Sequence, residues 1–246
     1  MSAEGRRPLL LMLTLAILWL CGSHSFAGSL QVSTTTLDVV APGAATSLVL
    51  RNLGSEPTNA QIRVLKWSQR DGIEALTATE EVVASPPFAA IAPGREYTVR
   101  VVRVAKAPVR EEVSYRLLID ELPNAGKGST LGVNFVVRYS IPVFFGPALR
   151  TSNAVSWRAE AGRGRLRLTA NNSGSKRIRL AALIIRGPDG ANIARQDGLV
   201  GYVLGRSSMS WTFPVPSGRN LSGSASIVLN SDGEPIHAQI PISLLP

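Results

Sequence analysis

The 246-residue chain is poor in the side chains that catalyse reactions, bind metals or form covalent cross-links. It has one cysteine, Cys21, and two histidines. A single cysteine excludes an internal disulfide, so stability must come from buried apolar cores. No histidines or carboxylates stand at a metal-binding spacing, and no glycine-rich loop joins a strand to a helix. The sequence therefore predicts no metal and no cofactor.

The few candidate catalytic groups are also poorly arranged. His237 lies in the alternating run Ile236–Ile240, which is typical of a strand, so we expect a strand residue rather than a general base. The carboxylate pairs are adjacent in sequence, and adjacent strand residues point to opposite faces. These pairs are Glu80-Glu81, Glu111-Glu112 and Asp120-Glu121. The sequence predicts a protein that is not an enzyme and that acts by recognition.

Only one long apolar run occurs, from Leu9 to Cys21, and it follows Arg6 and Arg7. Small residues at Ser25–Ala27 complete the pattern of a secretory signal peptide over residues 1–27, cleaved after Ala27. A membrane anchor is the alternative, but the run is shorter than the roughly 20 residues that span a bilayer. We expect export from the cytoplasm.

Acidic residues are scarce in the second half of the chain, which carries most of the formal net charge of +9. Residues 28–147 contain 12 Lys and Arg against 11 Asp and Glu, whereas residues 148–246 contain 12 against 5. Arg163, Arg165 and Arg167, and again Arg177 and Arg179, alternate so that each set would line one solvent face. Export argues against a nucleic-acid partner. A solvated basic face is the first interpretation, and contact with an acidic partner or anionic envelope surface is the second.

Short alternating segments separated by turn sequences predict an all-β protein. Turn signals include Asp71-Gly72, Pro93-Gly94, Pro188-Asp189-Gly190 and Asp232-Gly233. We predict two β-sandwich domains over residues 28–147 and 148–246, with the boundary at Gly146-Pro147-Ala148. The predicted strands are Thr46–Asn52, Asn59–Gln69, Tyr97–Val101, Tyr115–Ile119, Leu166–Asn171, Ile178–Arg186, Leu199–Leu204, Met209–Val215, Ala225–Asn230 and Ile236–Leu245.

Two large aromatic residues in the first predicted domain, Trp67 and Phe88, lie in or beside these strand segments. Large aromatic side chains in alternating strands are usually buried. We expect both to belong to the core of the first sandwich.

The longest strict alternation runs from Leu131 to Ile141. Its apolar side chains would share one face of a strand. They are Leu131, Val133, Phe135, Val137, Tyr139 and Ile141. This ridge could pack on the core of its own domain, or it could be lent to another protein.

Four motifs in this order resemble the PapD-like periplasmic pilus-assembly chaperones, most closely their archaic Csu-type branch. They are VVASPPF at residues 82–88, APG at 92–94, YRLLIDELP at 115–123 and RYSIPVF at 138–144. The resemblance covers Ser29 to about Pro147 and is weak beyond that point.

The resemblance implies two immunoglobulin-like domains in an L or boomerang arrangement and a periplasmic chaperone of pilus, fimbrial or coat-type subunits. Such chaperones complete a subunit by donor-strand complementation and deliver it to an outer-membrane usher. The inserting residues would be Val133, Phe135, Val137 and Tyr139, with Leu131 and Ile141 at the ends. Unbound molecules could also self-associate through this strand. A secreted structural fimbrial or adhesin subunit is the alternative function.

Two positions depart from the family pattern. Known members hold the subunit's terminal carboxylate with an Arg on the first strand and a Lys near the end of the donor strand, where this chain has Thr36 and Pro142. The replacement anchors that we consider are Arg100, Arg116 and Arg138, because an Arg fork grips a carboxylate well. Internal salt bridges are the equally weighted alternative for these arginines, with Glu112 and Glu121 as partners.

Overall fold

The computed structural model describes residues 30–123, 136–148, 154–215, 218–219 and 221–244. The regular elements within these ranges are 17 β-strands, so the all-β prediction is confirmed. The first half contains β1 (Leu30–Val32), β2 (Leu37–Val40), β3 (Ala45–Asn52), β4 (Thr58–Arg70), β5 (Ile73–Ala78), β6 (Val82–Ser85), β7 (Phe88–Ile91), β8 (Glu96–Arg103), β9 (Val113–Leu122) and β10 (Arg138–Gly146). The second half contains β11 (Val155–Gly162), β12 (Arg165–Asn172), β13 (Ile178–Arg186), β14 (Asn192–Val203), β15 (Ser207–Pro214), β16 (Gly223–Ser231) and β17 (Glu234–Leu244).

The first ten strands form a sandwich of two sheets. One sheet has the order β1-β3-β8-β6, and the other has the order β2-β10-β9-β4-β5 with β7 paired to β4. Alternate residues of each sheet point into the shared core, as the period of two requires. Leu50 and Val101 from the first sheet meet Ile62, Leu117 and Ile119 from the second.

The last seven strands form a second β domain with its own core. Their hydrogen-bonded order is β14-β13-β16-β17-β11-β12-β15. Both ends of this order contribute to one core, Val203 from β14 and the half-buried Trp211 from β15. The sheet therefore curls around a single apolar interior. The proposed boundary near Pro147 falls between the end of β10 and the start of β11, and its position stays a prediction, as does the L arrangement.

Two predicted turns form tight hairpins with left-handed backbone at both central residues. Asp71 and Gly72, between β4 and β5, have φ of 55° and 79°, and Asp232 and Gly233, between β16 and β17, have φ of 50° and 93°. This conformation suits Asp-Gly because the short Asp side chain and the absent Gly Cβ tolerate positive φ.

A third hairpin corrects the predicted arginine row. Arg163 and Gly164 have φ of 51° and 71° and turn the chain from β11 to β12. Arg163 is therefore a turn residue, and only Arg165 and Arg167 lie exposed on the same face of β12. The sequence did not predict β11, which carries two alanines and a glycine in a short amphipathic run.

The predictions for the two aromatic residues are corrected as well. Phe88 is 58% exposed, because Ala89 and Ile91 take the inward positions of β7 and leave Phe88 on the outer face. Trp67 is buried at 3% exposure, but it does not join the first core. It packs in a separate cluster with Phe144, Tyr202 and Leu204, between the two domains.

Candidate functional site

The strand β10 has one edge that is only partly covered. It pairs antiparallel with β9 from Arg138 to Phe145. On its other side it pairs in parallel with β2, but only from Val143 to Gly146. Among the described residues, Arg138 to Pro142 therefore has no strand on that side. We call this segment the free edge.

The pairing register decides which backbone groups face the free edge. The N–H of Glu121 donates to the carbonyl of Val137 at 3.0 Å, so odd-numbered residues of β10 hydrogen-bond to β9. The N–H of Ala41 donates to the carbonyl of Gly146 at 2.9 Å, so even-numbered residues face the β2 side. Arg138 and Ser140 thus direct both backbone groups to the free edge, and Pro142 directs a carbonyl there without a donor.

The predicted ridge extends only partly into the described chain. Leu131, Val133 and Phe135 lie outside the described residues. Val137 and Tyr139 are half-buried, and the Tyr139 hydroxyl donates to the carbonyl of Leu30. Ile141 is 3% exposed and belongs to the core of its own domain. Ile141 therefore fixes the strand in its sandwich, Tyr139 packs partly against the same core, and Val137 is half-buried.

The three candidate anchor arginines do not form one cluster. Arg100 lies on β8 in the opposite sheet, exposed and paired in register with Ser47 and Ser85. Arg138 lies at the start of the free edge, and Arg116 lies on β9 directly opposite Pro142. Only Arg116 thus lies beside the position where the family carries a cation on its donor strand.

Arg138 has an internal ion-pair partner, which is Asp120 rather than Glu112 or Glu121. The Nε of Arg138 donates to Oδ1 of Asp120, and Nη2 of Arg63 lies 2.6 Å from Oδ2. Burial disfavours the Asp120 charge, but hydrogen bonds from Arg138 and Arg63 outweigh it and lower the pKa of this carboxyl. Asp120 thus holds two arginines on the outer face of the sheet.

Arg116 is held by an aromatic ring instead of a close carboxylate. Its guanidinium carbon lies 3.7 Å from the centre of the Trp67 ring, and its Nη2 lies 4.0 Å from Oε1 of Glu74. Its side chain is 15% exposed, and burial lowers the pKa of the guanidinium from its usual value. Stacking stabilises the planar cation and leaves most of its donors without a partner among the described residues.

The second domain contributes Arg177 to the same region, which corrects another prediction. Arg177 was expected to line a solvent face with Arg179, but its side chain is only 11% exposed. It lies 3.6 Å from the centre of the Phe144 ring, its Nη2 lies 2.5 Å from Oδ1 of Asp38, and its Nη1 donates to Glu112. Burial raises the pKa of Glu112 although Arg177 opposes that shift. Glu112 is an ion-pair residue as predicted, but its partner comes from the other domain.

An aromatic cluster and one amide complete this contact between the domains. Tyr202 lies 5.7 Å from both Trp67 and Phe144, measured between ring centres. The Nε2 of Gln69 donates to the carbonyl of Tyr202 at 2.8 Å, and the N–H of Leu204 donates to Oε1 of Gln69 at 2.9 Å. The second domain therefore covers Trp67 of β4 and Phe144 of β10, and Trp67 in turn contacts Arg116. These pairs could not be predicted from the sequence, because the partners are distant along the chain.

Other kinds of site find little support in the part of the chain that is described. His237 is an exposed residue of β17, as expected for a strand position. No three His, Cys, Asp or Glu side chains within the described ranges come together in a way that could hold a metal ion. Those ranges also contain no helix long and apolar enough to cross a bilayer.

A family model described as "Pili and flagellar-assembly chaperone, PapD N-terminal domain" matches residues 29–150. Comparison with curated proteins gave no match.

Several solved structures are similar over most of the chain. One is in the CsuC–CsuE chaperone–tip adhesion subunit pre-assembly complex from archaic chaperone-usher Csu pili of Acinetobacter baumannii, with 25% identity, 89% of this chain and 100% of that chain covered, and a TM-score of 0.66. The E. coli chaperone DraB is 21% identical over 88% of this chain and 97% of its own, with a TM-score of 0.56. A chain in the complex of Salmonella enterica SafA pilin with the SafB chaperone is 17% identical over 86% of this chain and 96% of its own, with a TM-score of 0.59. The last two support the two-sandwich fold.

Proposed function

Because the chain belongs to the PapD-like family of pilus-assembly chaperones, close to its Csu branch, we propose that it caps pilus or coat-type subunits by donor-strand complementation. The family is one of chaperones and not of enzymes. Its members act in the periplasm, and the predicted signal peptide over residues 1–27 would direct this chain there.

The free edge is the observation that carries the proposal. An exposed strand edge is a template for pairing with another chain, and natural proteins usually cover it. Here Arg138 and Ser140 offer two pairs of backbone groups to an incoming strand. Backbone pairing does not depend on the partner's side chains, so one chaperone could accept several subunits.

The apolar ridge would supply the side-chain part of the interaction. Val137 and Tyr139 stand half-buried beside the free edge. The ridge continues in sequence through Leu131, Val133 and Phe135. Each large apolar side chain buried in an open subunit groove would contribute roughly 1.5–3 kcal/mol. A few such residues suffice for stable holding after the cost of ordering is deducted.

Arg116 is our choice for the carboxylate anchor. It faces Pro142 across the strand pair, and one further step of the β2–β10 register brings Thr36 beside Pro142. The ring of Trp67 holds the Arg116 guanidinium in place, so little side-chain entropy would be lost on binding a carboxylate. Arg138 already shares Asp120 with Arg63, and Arg100 lies on the other sheet.

The anchor is tested with single substitutions. Arg116→Ala should reduce subunit retention at least about tenfold, since a charge-assisted contact is lost. Arg100→Ala is the matched control and should behave like the wild type. Equal retention by Arg116→Ala and the wild type would remove Arg116 from this role.

The donor strand is tested by co-expressing the chain with a pilus subunit in the periplasm. Changing Phe135 and Val137 together to Asp should abolish recovery of soluble subunit, because charges cannot enter an apolar groove. Leu199→Asp is the control, since Leu199 is a half-exposed apolar residue of the second domain. Unchanged subunit recovery with the double variant would refute donor-strand complementation.

We further propose that release requires no nucleotide and occurs at an outer-membrane usher. An incoming subunit's own extension would replace the chaperone strand by pairing along the same edge. Self-association of unbound molecules through this edge stays a prediction. No observation favours the alternative of a structural surface subunit.

A further inference from the structure

The second domain has a groove formed by the face of β11, β12 and β15 that points away from its own core. On the β15 side, the N–H of Ser210 donates to the carbonyl of Gly72 in the β4–β5 turn of the first domain at 3.4 Å. The groove encloses about 410 Å³. Its lining is polar and contains Arg158, Glu160, Arg167 and Asn171 together with several serines. The apolar residues of these strands point the other way, into the second core. Packing of the second core therefore does not determine which polar side chains line the groove.

Strand register places the charged groups close together. Arg158 stands opposite Thr169, and Glu160 stands opposite Arg167. Arg158 and Arg167 are thus diagonal neighbours on one face, and the Cα atoms of such neighbours lie about 7–8 Å apart. The hydroxyls of Thr169 and Ser210 lie 2.9 Å apart and join β12 to β15 across the floor. Two guanidinium groups consequently flank a floor of hydroxyl groups.

The bonding capacity of these side chains is unused within the described chain. None of Arg158, Glu160, Arg167 and Asn171 forms a side-chain hydrogen bond or ion pair with another described residue. Arg63 and Arg138 in the first domain, in contrast, are both bound to Asp120. Glu160 and Arg167 face each other without forming an ion pair. The groove therefore presents both donors and an acceptor to a ligand.

We propose that this groove binds an acidic saccharide. Two guanidinium groups match a carboxylate, while the Asn171 amide, the serine hydroxyls and the Glu160 carboxylate match sugar hydroxyls. The excess of 12 basic over 5 acidic residues in 148–246 favours an anionic ligand. Trp157, the one large apolar side chain of the lining, is half-buried against the second core, so a lipid chain would find little apolar surface.

The site is independent of subunit capping, because the groove and the free edge lie in different domains and different sheets. Loss of saccharide binding should therefore leave subunit retention unchanged. Failure of the donor-strand experiment would likewise leave the groove unaffected.

The test is calorimetric titration of the full chain with trigalacturonic acid, with neutral maltotriose and with inorganic phosphate. We expect saturable binding of trigalacturonic acid and at least tenfold weaker binding of maltotriose. The double variant Arg158→Gln/Arg167→Gln should bind trigalacturonic acid at least about tenfold more weakly. Arg179→Gln, an exposed arginine of β13 outside the groove, should bind like the wild type.

Several results would overturn the proposal. Absence of saturable trigalacturonic acid binding, or an equal loss in Arg179→Gln, would show that no specific site exists. Phosphate binding as tight as the saccharide would reduce the groove to a simple anion site. Thermal melting of the variants separates loss of binding from loss of folding. Asn171→Ala provides a second variant, which leaves the net charge unchanged and should also weaken saccharide binding.

Discussion

At the scale of single residues, two arginines stacked on aromatic rings define the boundary between the domains. Arg116 lies over Trp67, and Arg177 lies over Phe144. A planar guanidinium can stack and still donate hydrogen bonds at its rim, which a lysine cannot do. Arg177 uses its rim donors on Glu112 and Asp38, whereas Arg116 approaches only Glu74, at 4.0 Å, among the described residues.

Arg177 provides a prediction for stability. Arg177→Met leaves the Glu112 carboxylate buried at 4% exposure without its cation. Breaking a buried pair in this way costs about 3–5 kcal/mol. The double variant Glu112→Gln/Arg177→Met should recover part of the loss, because no unpaired charge remains. Chemical denaturation of both variants measures the difference, and equal stability of Arg177→Met and wild type would contradict the buried pair.

Two carboxyls predict opposite dependences of stability on pH. The folded-state pKa of Asp120 is lowered. Its contribution to the free energy of unfolding is therefore present above the ordinary carboxyl pKa and is lost as pH falls through the lowered value. The folded-state pKa of Glu112 is raised. Its contribution to the free energy of unfolding is therefore lost as pH rises through the raised value.

Denaturation from about pH 6 to about pH 3 can separate these effects. The stability of the wild type relative to Asp120→Asn should fall as pH falls over this range. Relative to Glu112→Gln, it should rise as pH falls. Two slopes of the same sign would show that one of the two environments is misassigned.

At the scale of elements, β10 shows both what alternation predicts and what it leaves open. The pattern in residues 131–141 indicated a strand with one apolar face, and Tyr139 and Ile141 do face the first core. The pattern could not tell which backbone edge is free, because that depends on where β2 begins and ends beside β10. The short strands β1, β2, β6 and β7 were likewise missed, since three or four residues give too little periodicity.

The free edge can be tested by proline substitution. Ser140→Pro removes an N–H that faces the free edge, so the ladder to β9 should stay intact and stability should change by less than about 1 kcal/mol. The ring would, however, stand in the path of an incoming strand, and subunit capture should be lost. Tyr139→Pro is the matched control: it removes an N–H that bonds to β9 and should destabilise the domain by more than about 1 kcal/mol. Subunit capture by Ser140→Pro at the wild-type level would contradict the assignment.

At the scale of the whole molecule, the sequence predicted the all-β class and the two sandwiches from turns and alternation alone. It did not predict how the two domains touch. Trp67 was expected in the first core and instead joins Tyr202 and Leu204 from the second domain. Such contacts join residues more than a hundred positions apart, and neither composition nor local periodicity carries information on them.

The two proposed binding surfaces lie in different domains. The free edge lies on β10 of the first domain, and the polar groove lies on β11, β12 and β15 of the second. A chaperone built in this way could hold a subunit on one domain and meet an anionic surface with the other. Each surface can be altered without changing the residues of the other.

Backbone amide exchange is the most direct measurement of the central claim that β10 lends its edge to a subunit. In the free chain, the amides of Tyr139 and Ile141 should be protected by β9, while those of Arg138 and Ser140 should exchange quickly. Adding a pilus subunit that lacks its N-terminal extension should slow exchange at Arg138 and Ser140 and leave Tyr139 and Ile141 as they were. Fast exchange at Arg138 and Ser140 in the complex would contradict the account.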